Sequence, residues 1–271
     1  MLPLTSGDFR GLKTLVKNFQ ISILVLLFLS VFCAACQVTD PSKIDNDKEL
    51  FAQAENFRNH KRLDDAISFY KEITQSYPES PYVIESQLAI ANAYFDLKKY
   101  FEAETHYLSF QSLHPNHEKN RFVQKQIGLS RYHRSPRAVT KDQTQTRRAL
   151  ESFTRLTNKW PSSEEAQEIK PFLEKTQRKL DLYEYKIARF YFRQREYGAT
   201  LKRLEKLKEE AESLEVRTKA WFLLGKTHKK MKHYELAQKA FETVAYQDKY
   251  PKLKHKAEKH IKKLERKSKK P

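Results

Sequence analysis

Apolar and small residues along this chain fall into a phrase that returns five times. Ala66, Ala103, Ala149, Ala199 and Ala237 open it, and in four cases an aromatic stands four residues later, at Tyr70, Tyr107, Phe153 and Phe241. Proline follows twelve residues after the alanine in the first three, at Pro78, Pro115 and Pro161. A companion phrase lies upstream: Ala54 with Phe57, Ala91 with Tyr94, Gly225 with His228. This spacing predicts antiparallel helix pairs. The position must be small where two backbones approach, the aromatic fills the gap one turn on, and proline ends the second helix. Each pair keeps an apolar face that only the next pair buries, which forces a stacked solenoid with a concave surface.

The alanines step by 37, 46, 50 and 38 residues, against about 34 for a bare tetratricopeptide unit. Two segments account for the excess. Arg131–Gln143, polar and containing Pro136, reads as a loop, and Ser162–Asp181 as an extended helical connection. The last unit, Trp221-x2-Leu224-Gly225 followed by Ala237-x3-Phe241, resembles the tetratricopeptide (TPR) pattern. The expected fold is therefore all-α, a solenoid of five TPR helix pairs over residues 47–251, with a basic C-terminal helix and tail over 252–271. In the fourth unit Arg203 stands where the aromatic belongs, and its second helix ends at Ala211 without proline. Either that side of the helix is simply polar, or the arginine faces a partner.

The other strong pattern precedes the repeats. Arg10, Lys13 and Lys17 lead into a dense apolar run, Ile21 to Phe32, and Ala34-Ala35 precede Cys36. A charged region, a short apolar core and small residues make a secretory signal. The apolar run, about a dozen residues, is short of the roughly 20 that a spanning helix needs. Cys33-Ala34-Ala35-Cys36 resembles the lipobox of bacterial lipoproteins. That resemblance implies removal of residues 1–35, lipidation at Cys36, and a polar leash over 36–46. Gln37 after the cysteine implies outer-membrane sorting.

Composition narrows the chemistry. Only Cys36 remains beyond residue 35, so an exported chain has neither an intramolecular disulfide nor a cysteine-built metal site. Five glycines leave no room for a phosphate-cradling loop. Net charge is +18, and +16 without residues 1–35. Behind an export signal, that charge suits anionic lipid or an acidic protein rather than nucleic acid. Residues 249–270 hold eleven Lys/Arg against Glu258 and Glu265, about half of the excess. In the tail Leu253, Ala257, Ile261 and Leu264 form one helical stripe, expected to cap the last repeat.

Longer strings resemble the BamD family, the lipoprotein subunit of the β-barrel assembly machinery. Tyr77-Pro78-Glu79-Ser80-Pro81-Tyr82 runs into Gln87-Leu88-Ala89-Ile90-Ala91-Asn92-Ala93-Tyr94-Phe95, close to that family's first-unit ending. Phe110-x2-Leu113-His114-Pro115-x-His117, Lys141-Asp142-Gln143-Thr144 and Leu182-Tyr183-Glu184…Ile187-Ala188-Arg189-Phe190-Tyr191 match in order. The resemblance implies a periplasm-facing scaffold anchored to the outer membrane through acylated Cys36. Implied partners are a BamA-like barrel protein through its POTRA region, other BAM lipoproteins, and unfolded outer membrane proteins. Arg203 and Glu205, in Lys202-Arg203-Leu204-Glu205, fall on the family's arginine phrase at the BamA contact, with Lys202 replacing its asparagine. No catalytic residue and no cofactor is implied.

By register, Phe51, Glu55, Arg58 and Asn59, then Leu88, Asn92 and Phe95, line the inner helices, where Arg58, Asn59, Asn92 and Phe95 suit a peptide ending in an aromatic and a carboxylate. Phe51, Leu88 and Phe95 equally suit packing against a neighbouring helix. His114 and His117 lack further metal ligands at local spacing and read as turn caps. Phosphate-loop, HExxH, GxSxG and paired-carboxylate signatures do not occur. The second functional class is a periplasmic TPR adaptor coordinating envelope or peptidoglycan factors, which needs neither the Glu184…Tyr191 helix nor Arg203 in that register.

Overall fold

The computed structural model describes residues 40–268, so Cys36 and the signal segment lie outside the described residues. Twelve α-helices and one short 3-10 turn make up the ordered elements among them. They form five pairs and a cap: α1 (Asp47–Asn59) with α2 (Leu63–Ser76), α3 (Val83–Asp96) with α4 (Tyr100–Leu113), and α5 (Asn120–Arg134) with α6 (Thr144–Lys159). After the five-residue α7 (Glu164–Glu168) come α8 (Lys170–Arg193) with α9 (Tyr197–Glu210), α10 (Leu214–Lys230) with α11 (Tyr234–Ala245), and α12 (Pro251–Ser268). The chain divides into two compact units, up to Val83 and from Ile84 on.

The joint inside each pair has one chemistry. Ala54, Ala91, Gly128, Ala188 and Gly225 are the small residues of the first helices, all buried. Ala66, Ala103, Ala149 and Ala237 answer them from the second helices at 0% exposure, with Tyr70, Tyr107, Phe153 and Phe241 filling the gap. Where the filler is tyrosine, its hydroxyl is satisfied by the first helix. Tyr107 donates to Asn92 Oδ1 at 2.7 Å, and Tyr70 donates to the Glu55 carboxylate. Where it is phenylalanine the first helix carries glycine. A Cβ on Gly128 would lie 2.5 Å from the Phe153 ring, and one on Gly225 2.8 Å from Phe241.

Four of the five intra-pair turns are Schellman closures. Lys61, Lys98, Arg195 and Lys232 take φ of 60, 60, 64 and 65°. The next amide in each case reaches back to the carbonyl of Phe57, Tyr94, Tyr191 or His228, at 2.9–3.0 Å. That 6→1 bond consumes a carbonyl the helix end leaves open.

This geometry corrects the register of the fourth unit. In the other three closed turns the small residue follows the left-handed residue by five, which selects Thr200 and not Ala199. Thr200 is fully buried, its hydroxyl donating to the Glu196 carbonyl at 2.8 Å. The filler four residues on is Leu204, at 0% exposure. Arg203 therefore does not replace the aromatic; it stands one residue, about 100°, off the joint.

Three further expectations change. The loop before α6 begins at Ser135, because Arg131 and Arg134 are drawn into the helix by Glu104, only 6% exposed. Arg131 donates to that carboxylate at 2.8 Å and to Ser152 Oγ at 2.6 Å, tying α4, α5 and α6 together. Gln143 closes the loop by donating to the carbonyls of Ala138 and Lys141 at 3.1 and 2.8 Å. Ser162–Asp181 is helical as expected, but past α7 it is the first part of the 24-residue α8 rather than a separate connection. Of the leash, Asp40–Asn46 is structured. Asp40 caps the 3-10 turn, and the Tyr77 hydroxyl lies 3.2 Å from Asp45 Oδ1 and 3.4 Å from the Ile44 carbonyl.

Within the second unit each apolar cluster is shared by consecutive helices. Leu88 and Ala91 of α3, Tyr107 and Phe110 of α4, and Val123 and Ile127 of α5 form one. Ala188, Leu204, Leu207, Val216, Ala220 and Leu224 join α8, α9 and α10. Ala237, Phe241 and Val244 close on Ala257 and Leu264, with Leu253 and Ile261 beside them, so the tail stripe does cap the last pair.

Candidate protein-binding site

Arg203, left off the fourth joint, lines a cavity of about 680 Å³. It is lined from α6 by Arg147, from α8 by Asp181, Glu184 and Tyr191, and from α9 by Lys202, Arg203 and Lys206. Glu184 lies between two guanidiniums, with Arg203 Nη1 at 3.1 Å and Arg147 Nη2 at 3.6 Å. Each arginine also covers a ring of α8: Arg203 lies 5.4 Å from the Tyr191 centroid, Arg147 5.3 Å from Tyr183. The pair is 38% and 40% exposed, so water screens it and its worth to folding is about 0–1 kcal/mol. It is an arginine held in a fixed pose at a cavity mouth, with a carboxylate that an incoming acid can replace.

Glu205 is not brought to this cavity. Two residues along a helix turn it about 200° away, and it pairs with Lys208 Nζ at 2.5 Å, which covers the Trp221 ring at 4.7 Å. Asp181, 5% exposed, links the cavity floor to the α9–α10 turn: Gln177 donates to it at 2.8 Å, and the Ser213 amide lies 3.4 Å away. Sequence reasoning did not single out Arg147 or Asp181, which meet Glu184 and Ser213 only through tertiary packing.

The residues expected at a peptide groove fall in both units. In the first, Arg58 is exposed and donates from Nε to Glu55 at 3.1 Å, a bond that holds its pKa above the usual arginine range. Asn59 is exposed at the last position of α1, and Phe51 stacks on Tyr82 at 4.7 Å. In the second, Leu88 is buried in the core, Asn92 accepts from Tyr107, and Phe95 packs edge-on to Tyr100 at 5.3 Å. Leu88 is thus a core residue, while Asn92 keeps its amide donors. Burial pushes the Tyr107 phenol well up from its ordinary value, so it remains a donor to Asn92. His117 accepts the Lys119 amide at 3.1 Å, and His114 lies 2.7 Å from Gln87 Oε1, both at the turn after α4.

The outer membrane lipoprotein family YfiO matches residues 43–244. The chain belongs to this family. Curated relatives carry the name outer membrane protein assembly factor BamD. Those of Neisseria meningitidis serogroup A / serotype 4A and serogroup B are each 24% identical over 204 residues, 71% of this chain and 76% of theirs. The Neisseria gonorrhoeae relative aligns with the same identity and shares. Among solved structures, a MamA double mutant gives a TM-score of 0.35 at 15% identity, over 84% of this chain and 99% of that one. A thermophilic TPR protein from Thermus thermophilus gives 0.34 at 12%, over 80% and 99%. The BamD-family match runs from the 3-10 turn to α11 and so contains the whole Arg203 cavity.

Proposed function

We propose that this BamD-family protein is an outer membrane assembly factor that works as a scaffold, binding proteins rather than transforming them. It is anchored by acylation at Cys36 after removal of residues 1–35, faces the periplasm, and joins a BAM-type complex with other lipoproteins. The POTRA region of a BamA-like barrel protein docks at the α8–α9 cavity, and unfolded barrel substrates use the N-terminal pairs through Arg58, Asn59, Asn92 and Phe95. The observation carrying this reading is Arg203, half-exposed at a cavity mouth, held by Glu184 and Tyr191 rather than serving the joint. A partner carboxylate that takes the place of Glu184 gains a preset guanidinium at little cost to the fold. Glu205, paired with Lys208 away from the cavity, adds a separate contact to the same partner.

The test is purification of the tagged protein from envelopes in gentle detergent, wild type against Arg203→Glu. Recovery of a POTRA-bearing barrel protein that falls at least tenfold in the variant is the expected result. Unchanged recovery moves the interface elsewhere on the scaffold. Absence of any barrel protein with wild type overturns the assembly role.

A further inference from the structure

One flank of α12 is used neither by the fold nor by the proposed barrel-protein contact. The stripe Leu253, Ala257, Ile261 and Leu264 is spent on the last pair. Lys252, Lys256, Lys259, Lys263 and Arg266 recur at spacings of four, three, four and three, so they share a second flank. Both acids of the helix lie on the opposite flank with Lys254, which holds Asp248 at 2.6 Å and is steadied by Glu258. Charge on this helix is therefore sorted, not mixed.

The basic flank continues onto its neighbours. Lys226 of α10 lies over the Phe192 ring at 4.9 Å, and Lys229 Nζ is 3.2 Å from His260 Nδ1. Burial, then Arg189, Lys230 and Lys256, hold the Lys226 ammonium below the usual lysine range. Burial, then Lys229, Lys226 and Lys263, depress His260 likewise. Among the described residues no carboxylate lies within ion-pair distance of Arg189, Lys226, Lys230, Lys256, Lys259 or Lys263. The repulsion is left for something outside the fold to relieve.

We propose that this flank of α12, with Lys226 and Lys230 beside it, docks on the headgroups of anionic phospholipids. Three features select a lipid surface over an acidic protein segment. The cluster is almost all lysine, compact point charges suited to phosphate, where forked carboxylate recognition favours arginine. The charges run along a straight helix flank, matching a planar array of anions rather than a pocket. The family is one of outer membrane lipoproteins, which keeps an anionic surface in reach. With the apolar stripe already buried, attachment is peripheral and salt-sensitive, without insertion.

The full chain is incubated with neutral phosphatidylcholine vesicles or with vesicles containing about 30% phosphatidylglycerol, in about 0.05 M salt. Acetylation rates are read by mass spectrometry at Lys252, Lys256, Lys259 and Lys263, against exposed Lys61 as reference. Protection of about fivefold or more on the anionic vesicles alone, lost at about 0.5 M salt, is expected. In Lys256→Glu/Lys259→Glu/Lys263→Glu, whose side chains are exposed and spare the core, Lys252 loses its protection. Equal rates on both vesicles overturn the proposal. So does equal protection by inorganic phosphate, which marks an isolated anion site, or by poly-glutamate but not vesicles, which marks a protein surface. Flotation with the neutral vesicles scores the Cys36 anchor separately, so its failure is not mistaken for failure of the basic flank.

Discussion

The fourth and fifth helix pairs share one register and differ in what fills it. In the fifth, Gly225 lets Phe241 lie against the backbone of α10, and His260 of α12 stacks on the ring at 4.6 Å and 5°. In the fourth, Ala188, Thr200 and Leu204 hold the same places, all at 0% exposure, and a cavity with charged walls lies alongside. The same turn and the same twelve-residue interval thus give one pair closed by packed rings and one with a cavity beside it. Closing a joint with a small aliphatic filler frees the neighbouring helix face for charged residues, and it is there that Arg203 stands.

The largest test of that contrast is truncation of the two fillers. Phe241→Ala removes a ring enclosed by Gly225, Phe222 and His260, with an expected loss of about 3–5 kcal/mol. Leu204→Ala is expected at about 2–3 kcal/mol, the low end for leucine, because α9 borders space into which it can settle. Urea unfolding measures both. A Leu204→Ala cost equal to that of Phe241→Ala means the two joints are equally rigid.

Next comes the size of the small residue. A Cβ on Gly225 meets three Phe241 ring atoms at 2.8–3.0 Å. Overpacking of about 1–3 kcal/mol then exceeds the roughly 1 kcal/mol gained from replacing a helical glycine. Gly225→Ala should be net destabilising, while Gly225→Ala/Phe241→Leu, which copies the Ala188/Leu204 combination, should cost less than the two changes summed. Strict additivity in that double-mutant cycle would show that the ring does not set the need for glycine.

How much of this could be read in the sequence depended on which residue kept its identity. Four joints announced themselves through alanine and an aromatic at a spacing of four. The fourth misled because Ala199 is the residue before Thr200, and Leu204 carries no aromatic signal. The twelve-residue interval from first-helix to second-helix small residue (Ala54 to Ala66, Ala91 to Ala103, Gly225 to Ala237) points from Ala188 to Thr200 and would have fixed the register. The tail stripe was legible because its partners lie on one helix face. Glu104 with Arg131 and Arg134 was not, since α5 must be packed on α4 before that carboxylate has neighbours. Likewise the cavity needs Arg147 of α6 beside Glu184 of α8, a meeting no local spacing encodes.

Acid should separate the two pairs by a smaller amount. His228 and His260 are both held below the usual histidine range, first by burial and then by nearby positive charge. The Nδ1 of His228 is buried with no hydrogen-bond partner. The unfolded chain therefore binds protons that the folded joint refuses. Their contribution is full above the unfolded pKa, about 6.5, and is lost as pH falls below it. Neither α8 nor α9 contains histidine. Hydrogen exchange, corrected for intrinsic rates, should show α11 losing protection between about pH 7 and 5.5 while α9 changes less. His260→Phe, which keeps the stack, should flatten that response; an unchanged response would place the acid sensitivity in another histidine.

The smallest effect tests what the two pairs have in common. Arg195 and Lys232 occupy the left-handed position of their turns with φ of 64 and 65°, where a side chain is strained and glycine is the usual occupant. Neither needs its side chain for the closure, since the bonds run from the Glu196 and His233 amides to the Tyr191 and His228 carbonyls, at 3.0 and 2.9 Å. Arg195→Gly and Lys232→Gly should each stabilise by about 0.5–1 kcal/mol, the relieved strain exceeding the extra freedom glycine gives the unfolded chain. The turns have the same geometry, so the two gains should match even though the joints they close do not. A gain at Lys232 without one at Arg195 would mean that the open fourth pair already relaxes its turn, and the contrast between the pairs would then extend from the filler to the backbone.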